Sequence, residues 1–103
     1  MEKPLTTEEG LKILERDRYK CHYCGLDGLT RFEDSLVMTV DFVVPRASKG
    51  TRSAGNLVAA CRPCNLLKGR RVFKNLEEAK AFVLMRRAEL RKSWESKAAR
   101  LRA

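Results

Sequence analysis

Two hydrophobic rhythms alternate along the 103 residues. Over residues 36–44 the chain reads Leu-Val-Met-Thr-Val-Asp-Phe-Val-Val, dense in β-branched and aromatic side chains, and Pro45 stops it. That run predicts one or two strands of a hairpin. On both sides of it the period becomes helical. Thr6-Thr7-Glu8-Glu9 has the form of a capping box, with Thr6 as N-cap and Glu9 three residues on. A helix is therefore expected over about residues 7–18, with Leu11, Ile13 and Leu14 on its inner face. The longest helical pattern covers about residues 76–100, where Leu76, Ala79, Val83, Leu90, Trp94 and Leu101 share a stripe. A shorter helix should open at Cys64 and end near Gly69, before a break at Lys74-Asn75. The remaining segments carry turn chemistry. Asp27-Gly28 marks a turn, residues 46–55 read as an ordered, exposed polar loop, and residues 56–60 as a short extended or turn segment.

Charge narrows the choice of partner. There are 22 lysines and arginines against 13 acids, a formal charge of +9. Such a surplus points to a polyanionic partner, nucleic acid first and an anionic membrane surface second, and composition leaves a merely basic soluble protein as an equal alternative. From residue 86 on, seven cations face only Glu89 and Glu95. That stretch reads either as a solvated helical face or as an arm lying along a nucleic-acid backbone. Few aromatics interleave with the cations, which disfavours a single-strand stacking platform. No apolar run approaches membrane-spanning length and no stretch has the form of a signal peptide, so a cytoplasmic location is expected, where thiols stay reduced.

The four cysteines change the picture most. All fall in two Cys-x-x-Cys pairs, Cys21/Cys24 and Cys61/Cys64. A two-residue spacer lets one knuckle aim both sulfurs at one ion, and two knuckles complete a closed tetrahedral site. Gly25 follows the first pair, where the backbone must fold back. Structural Zn2+ is the expected occupant, ahead of an iron–sulfur cluster or redox dithiols. For so short a chain such a staple would carry part of the folding free energy.

With these pieces in order, the sequence resembles a known family. Cys21-x-x-Cys24, Val40-Asp41-Phe42-Val43-Val44-Pro45-Arg46, Asn56-Leu57-Val58 and Cys61-x-x-Cys64-Asn65-x-x-Lys68-Gly69 look like the zinc-stapled branch of the HNH endonucleases. The resemblance covers about residues 18–71. It implies an α+β fold with a ββα-metal core, flanked here by the N-terminal helix and the long basic C-terminal helix within one domain, residues 1–103. It also implies hydrolysis of a phosphodiester in double-stranded DNA, assisted by Mg2+ or Mn2+. Carried over by position, Asp41 and Asn65 would bind the catalytic ion, and Asn56 would fix the loop and orient the general base. The base position itself holds Phe42 where the family has histidine. A phenyl ring accepts no proton, and a positioned base is worth roughly 10²–10⁴-fold in rate. The single histidine, His22, sits inside the first knuckle and is expected to face solvent or cover the metal. Lys68, Asp34 or water activated by the metal remain as substitutes.

Taken singly, Asp41 could be a strand-end residue bonding a turn, Phe42 a strand core residue and Asn65 a helix cap. Arg46, Lys49, Arg52, Lys68, Arg70 and Arg71 surround the site in sequence and are the candidate nucleic-acid contacts. Three functions follow: an HNH endonuclease or nickase working without its usual base, a catalytically silent DNA-binding or assembly module of the same fold, or a zinc-ribbon-like protein- or RNA-interaction domain.

Overall fold

The computed structural model describes residues 5–45 and 48–103. Helix α1 (Thr7–Arg16) starts as its sequence dictates: Thr6 Oγ1 accepts the Glu9 N–H, and the Glu9 carboxylate accepts the Thr6 N–H. It stops short of Arg18, because Arg18 and Tyr19 take left-handed φ values of 55° and 54° through which a helix cannot run. Ile13 and Leu14 are buried. Leu11 is not, since it lies on the lip of an open groove between α1 and the sheet.

Residues 20–27 form a small knuckle. Cys21 N–H donates to Leu26 O and Gly28 N–H to Tyr19 O, and the Gly25 N–H returns to Cys21 O at φ 80°. A short surface helix, α2 (Phe32–Leu36), follows. It lies beyond the reach of periodicity, being five residues long with none buried.

The sheet has two antiparallel strands, β1 (Met38–Phe42) and β2 (Leu57–Cys61). Met38 faces Cys61 and Asp41 faces Val58 across the ladder. The run over residues 36–44 therefore supplies one strand, and the segment expected to be merely extended supplies its partner. Every residue of β2 is buried, and the small side chains of Ala59 and Ala60 let α1 and α3 approach the strand. Between the strands, Asn56 closes the connection: its amide donates to Val44 O and Thr51 O and accepts the Val44 N–H.

Helix α3 (Arg62–Lys68) begins directly at Cys61, with Pro63 in its first turn where no N–H is missed, and ends at Gly69 with φ 62°. Helix α4 (Leu76–Arg102) is N-capped by Asn75, which accepts the Glu78 N–H. Ala79 and Val83 pack into a core made largely of the cysteines, Tyr23, Met38 and Val58. Beyond Val83 the apolar stripe leaves that core, and Leu90, Trp94 and Leu101 are exposed. A helix of 27 residues runs about 40 Å, while the molecule measures 50 × 30 × 20 Å, so α4 outreaches everything it could pack on.

Candidate functional site

The two knuckles meet. The four Sγ atoms of Cys21, Cys24, Cys61 and Cys64 all lie within 4.8 Å of one another and could hold a metal ion. A tetrahedral ion with sulfur bonds of about 2.3 Å needs sulfurs about 3.8 Å apart. Cys24 and Cys61 stand at 3.7 Å. Backbone N–H groups of Tyr23 and Cys24 point at Cys21 Sγ, at 3.4 and 3.5 Å. Arg87 of α4 donates to Cys64 Sγ at 3.6 Å, setting a cation against the sulfur cage. Hydrogen bonds from the Cys61 and Cys64 thiols pull Cys21 strongly toward thiolate. Holding those protons pushes Cys61 up to about 11 and Cys64 further up. The cage thus favours one thiolate, and a metal must displace the remaining protons to take all four sulfurs.

A second site lies on the other side of α3. Val40, Asp41, Phe42, Pro45, Asn65 and Gly69 line a cleft of about 170 Å³. The strand presents Asp41 and the second turn of α3 presents Asn65, so the structure brings together these two sequence candidates. Asp41 is 4% exposed. Its Oδ2 accepts a short hydrogen bond from the Tyr23 hydroxyl and lies 3.5 Å from Lys68 Nζ. Lys68 Nζ also donates to Phe42 O at 3.0 Å. Both partners hold the same oxygen, and Oδ1 has no hydrogen bond among the described residues. Burial pushes the Asp41 carboxyl up against the opposing pull of Tyr23 and Lys68. It also pushes the Tyr23 phenol up, with Asp41 adding to the shift. The carboxylate is therefore fixed in orientation with one oxygen spare, and the Asn65 amide makes no hydrogen bond among the described residues. This donor set fits a divalent ion only in part: two protein oxygens are available, and an ammonium already balances the carboxylate.

Residues 21–71 match the family model for the HNH endonuclease. The core of the chain belongs to the HNH family. Comparison with curated proteins and with solved structures gave no match.

Within the HNH core Phe42 is half-buried and lines the cleft rather than being sunk in the core as its apolar neighbours suggested. His22 is turned elsewhere. Its Nε2 lies 3.1 Å from Asp17 Oδ2, its N–H donates to Ala59 O, and it lines a separate hollow with Asp17, Lys20 and Cys21. Asp17 also accepts the Ala59 N–H and pairs with Arg16, so this cluster stitches the end of α1 to β2. Asp34 lies on α2 and does not line the cleft.

The cations around the cleft divide. Lys49, Arg70 and Arg71 are exposed, Arg71 lying 4.5 Å over the Phe82 ring. Arg52 is engaged by a short ion pair with Glu9. Lys68 is 0% exposed, so it is an internal counterion and not the surface phosphate contact expected from its position. Arg46 lies outside the described residues. Two roles escaped the sequence. Tyr23 gave no signal beyond sitting inside a knuckle. Lys68 did give one: it is four residues after Cys64, on the inward face of α3. Among the described residues, no helix is long and apolar enough to cross a membrane.

Proposed function

We propose that this HNH domain binds double-stranded DNA over the Asp41–Asn65 cleft and hydrolyses it slowly, as a nickase deprived of its built-in base. One observation carries the reading: Asp41 is the sole titratable side chain among the described residues lining the cleft, and its carboxylate is tied to Tyr23 and Lys68. Neither His22 nor Asp34 lines that cleft, and the Lys68 ammonium is already engaged. The four-thiolate cage is read as a closed zinc site with a structural role, because it leaves no coordination position open.

Asp41 Oδ1 and the Asn65 amide oxygen are the groups that would hold Mg2+ or Mn2+. Such an ion, when bound, supplies Lewis-acid stabilisation of charge on the phosphate. Tyr23 and Lys68 keep the carboxylate aimed, Asn56 fixes the Val44 and Thr51 ends of the adjoining loop, and Lys49, Arg70 and Arg71 offer charge to the backbone phosphates. Phe42 contributes shape and excludes water, but takes no proton.

The test compares wild type with Phe42→His on supercoiled plasmid in Mg2+ and in Mn2+, with duplex binding measured alongside. The expected result is equal, salt-sensitive binding and nicking raised by about 10²–10⁴-fold in the variant. A variant that binds but nicks no faster would defeat the missing-base account. A second reading, a silent DNA-binding module, is favoured by the Lys68 ammonium at 3.5 Å from Asp41. Unchanged Mn2+ binding in Asn65→Ala would support it.

A further inference from the structure

Among the described residues, one hollow larger than the cleft lies away from it. It lies between α3 and α4, measures about 570 Å³, and shares no residue with the Asp41–Asn65 site. Its α3 wall offers Pro63 and Leu66, three residues apart. Its α4 wall offers Arg87, Leu90, Arg91 and Trp94, at i, i+3, i+4 and i+7. That spacing is one continuous helix face. The apolar members are open: Leu66 is 75% exposed, Trp94 52% and Leu90 46%. Two helices side by side thus form a V with an apolar floor and arginines along one wall.

We propose that this V docks an acidic amphipathic helix from another protein. A helix laid in a groove inserts apolar residues at its own i, i+3, i+4 and i+7 positions, and the floor here supplies the matching surface. Charge selects the sign of the flanks. Arg87 and Arg91 line the groove, and residues 86–103 carry seven cations against Glu89 and Glu95, so an anionic flank is drawn in and a cationic one repelled. A second copy of this chain fits poorly, because each copy brings a formal charge of +9 and the same arginine wall. Nucleic acid fits poorly as well. Its phosphates would lie against Leu66 and Leu90, and a single exposed tryptophan on a helix makes no stacking platform. Arginine and tryptophan together are the residue types that dominate binding energy at protein interfaces.

Trp94 is the chain's single tryptophan and stands in the groove, so it reports occupancy directly. The probe is a synthetic peptide of about five helical turns with leucine at i, i+3, i+4 and i+7 and glutamate elsewhere. A scrambled peptide of the same composition is the control. The metal-loaded full chain is titrated with each while Trp94 emission is followed. The expected result is a saturable blue shift with the patterned peptide alone. Leu66→Glu on one wall and Arg91→Glu on the other should each weaken it about tenfold or more, with metal content and helix signal unchanged. Equal binding of the scrambled peptide would overturn the proposal, reducing it to charge attraction. So would wild-type affinity in both variants. A concentration-dependent dimer abolished by Leu66→Glu would assign the groove to a second copy. A Trp94 shift with short duplex DNA, lost in Leu66→Glu, would assign it to nucleic acid.

Discussion

The cysteine-caged core and the distal half of α4 obey opposite rules. In the core, polar groups are inside and held by partners. Lys68 is buried to neutralise Asp41, Tyr23 spends its hydroxyl on the same carboxylate, and the four cysteines pool their sulfurs. In distal α4, apolar groups are outside and uncommitted, with Leu90, Trp94 and Leu101 facing water among arginines and lysines. Buried ion pairs seldom add net stability, and exposed apolar stripes seldom persist without use. Each departure from the ordinary arrangement therefore marks a place where geometry matters more than stability. The core holds a carboxylate still, and the helix displays a surface.

Metal removal should separate the two halves most sharply. Cys64→Ser, or stripping the ion with a chelator, is expected to unfold the core, since structural zinc contributes on the order of 10 kcal/mol to domains of this kind. Near-UV circular dichroism should collapse further than the far-UV helix signal. Equal proportional loss would mean that α4 depends on the core along its whole length.

The next effect is internal to the core. Lys68→Met leaves the Asp41 carboxylate buried without its cation and should cost about 3–5 kcal/mol in urea unfolding. The double variant Lys68→Met/Asp41→Asn should recover part of that cost, because the two residues act as a pair. Additive losses would mean that the pair is not coupled.

A smaller effect ties α1 to the loop. A hydrogen bond from Arg52 holds the Glu9 carboxyl down to about 2, from an ordinary 4.5. A depressed carboxylate stabilises the fold above its unfolded value and loses that contribution as the folded pKa is approached. This bond should therefore act fully above pH 4.5 and fade as the pH falls from 4.5 toward 2. Glu9→Gln keeps an acceptor for the Thr6 cap and should flatten the acid limb of the urea midpoint across that window. The smallest effect belongs to the distal helix. Leu101→Ala should change unfolding free energy by less than about 0.5 kcal/mol, as for any residue that packs on nothing.

The sequence was most readable where local chemistry decides structure. Thr6 and Glu9 cap α1 reciprocally, Gly25 turns beneath the first knuckle with positive φ, and the two Cys-x-x-Cys pairs bring their four sulfurs together. The α+β class and the long C-terminal helix were legible in the same way. What could not be read depends on tertiary balance. Leu11 and Leu90 lie on apolar stripes, yet burial needs a partner surface, and periodicity says nothing about where that surface ends. Lys68 looked like a surface cation because isolated lysines are, and only the arrival of Asp41 from β1 makes its burial tolerable. The candidate site followed the same division. Asp41 and Asn65 line one cleft as their positions implied, while Arg52 and Lys68 are drawn away by partners distant in sequence.

The Asn56 amide has one further consequence. By grasping Val44 on both its N–H and its carbonyl, together with the carbonyl of Thr51, a single side chain gathers the two ends of the intervening segment into one knot. Ser48 N–H and Gly50 N–H both donate to Pro45 O, so the described residues ahead of Gly50 are held close beside that knot. Gly50 has no room for a side chain, because a β-carbon there would fall 1.6 Å from Val44 O. One side chain and one glycine thus fix where the connection leaves the first strand and where it returns to the second.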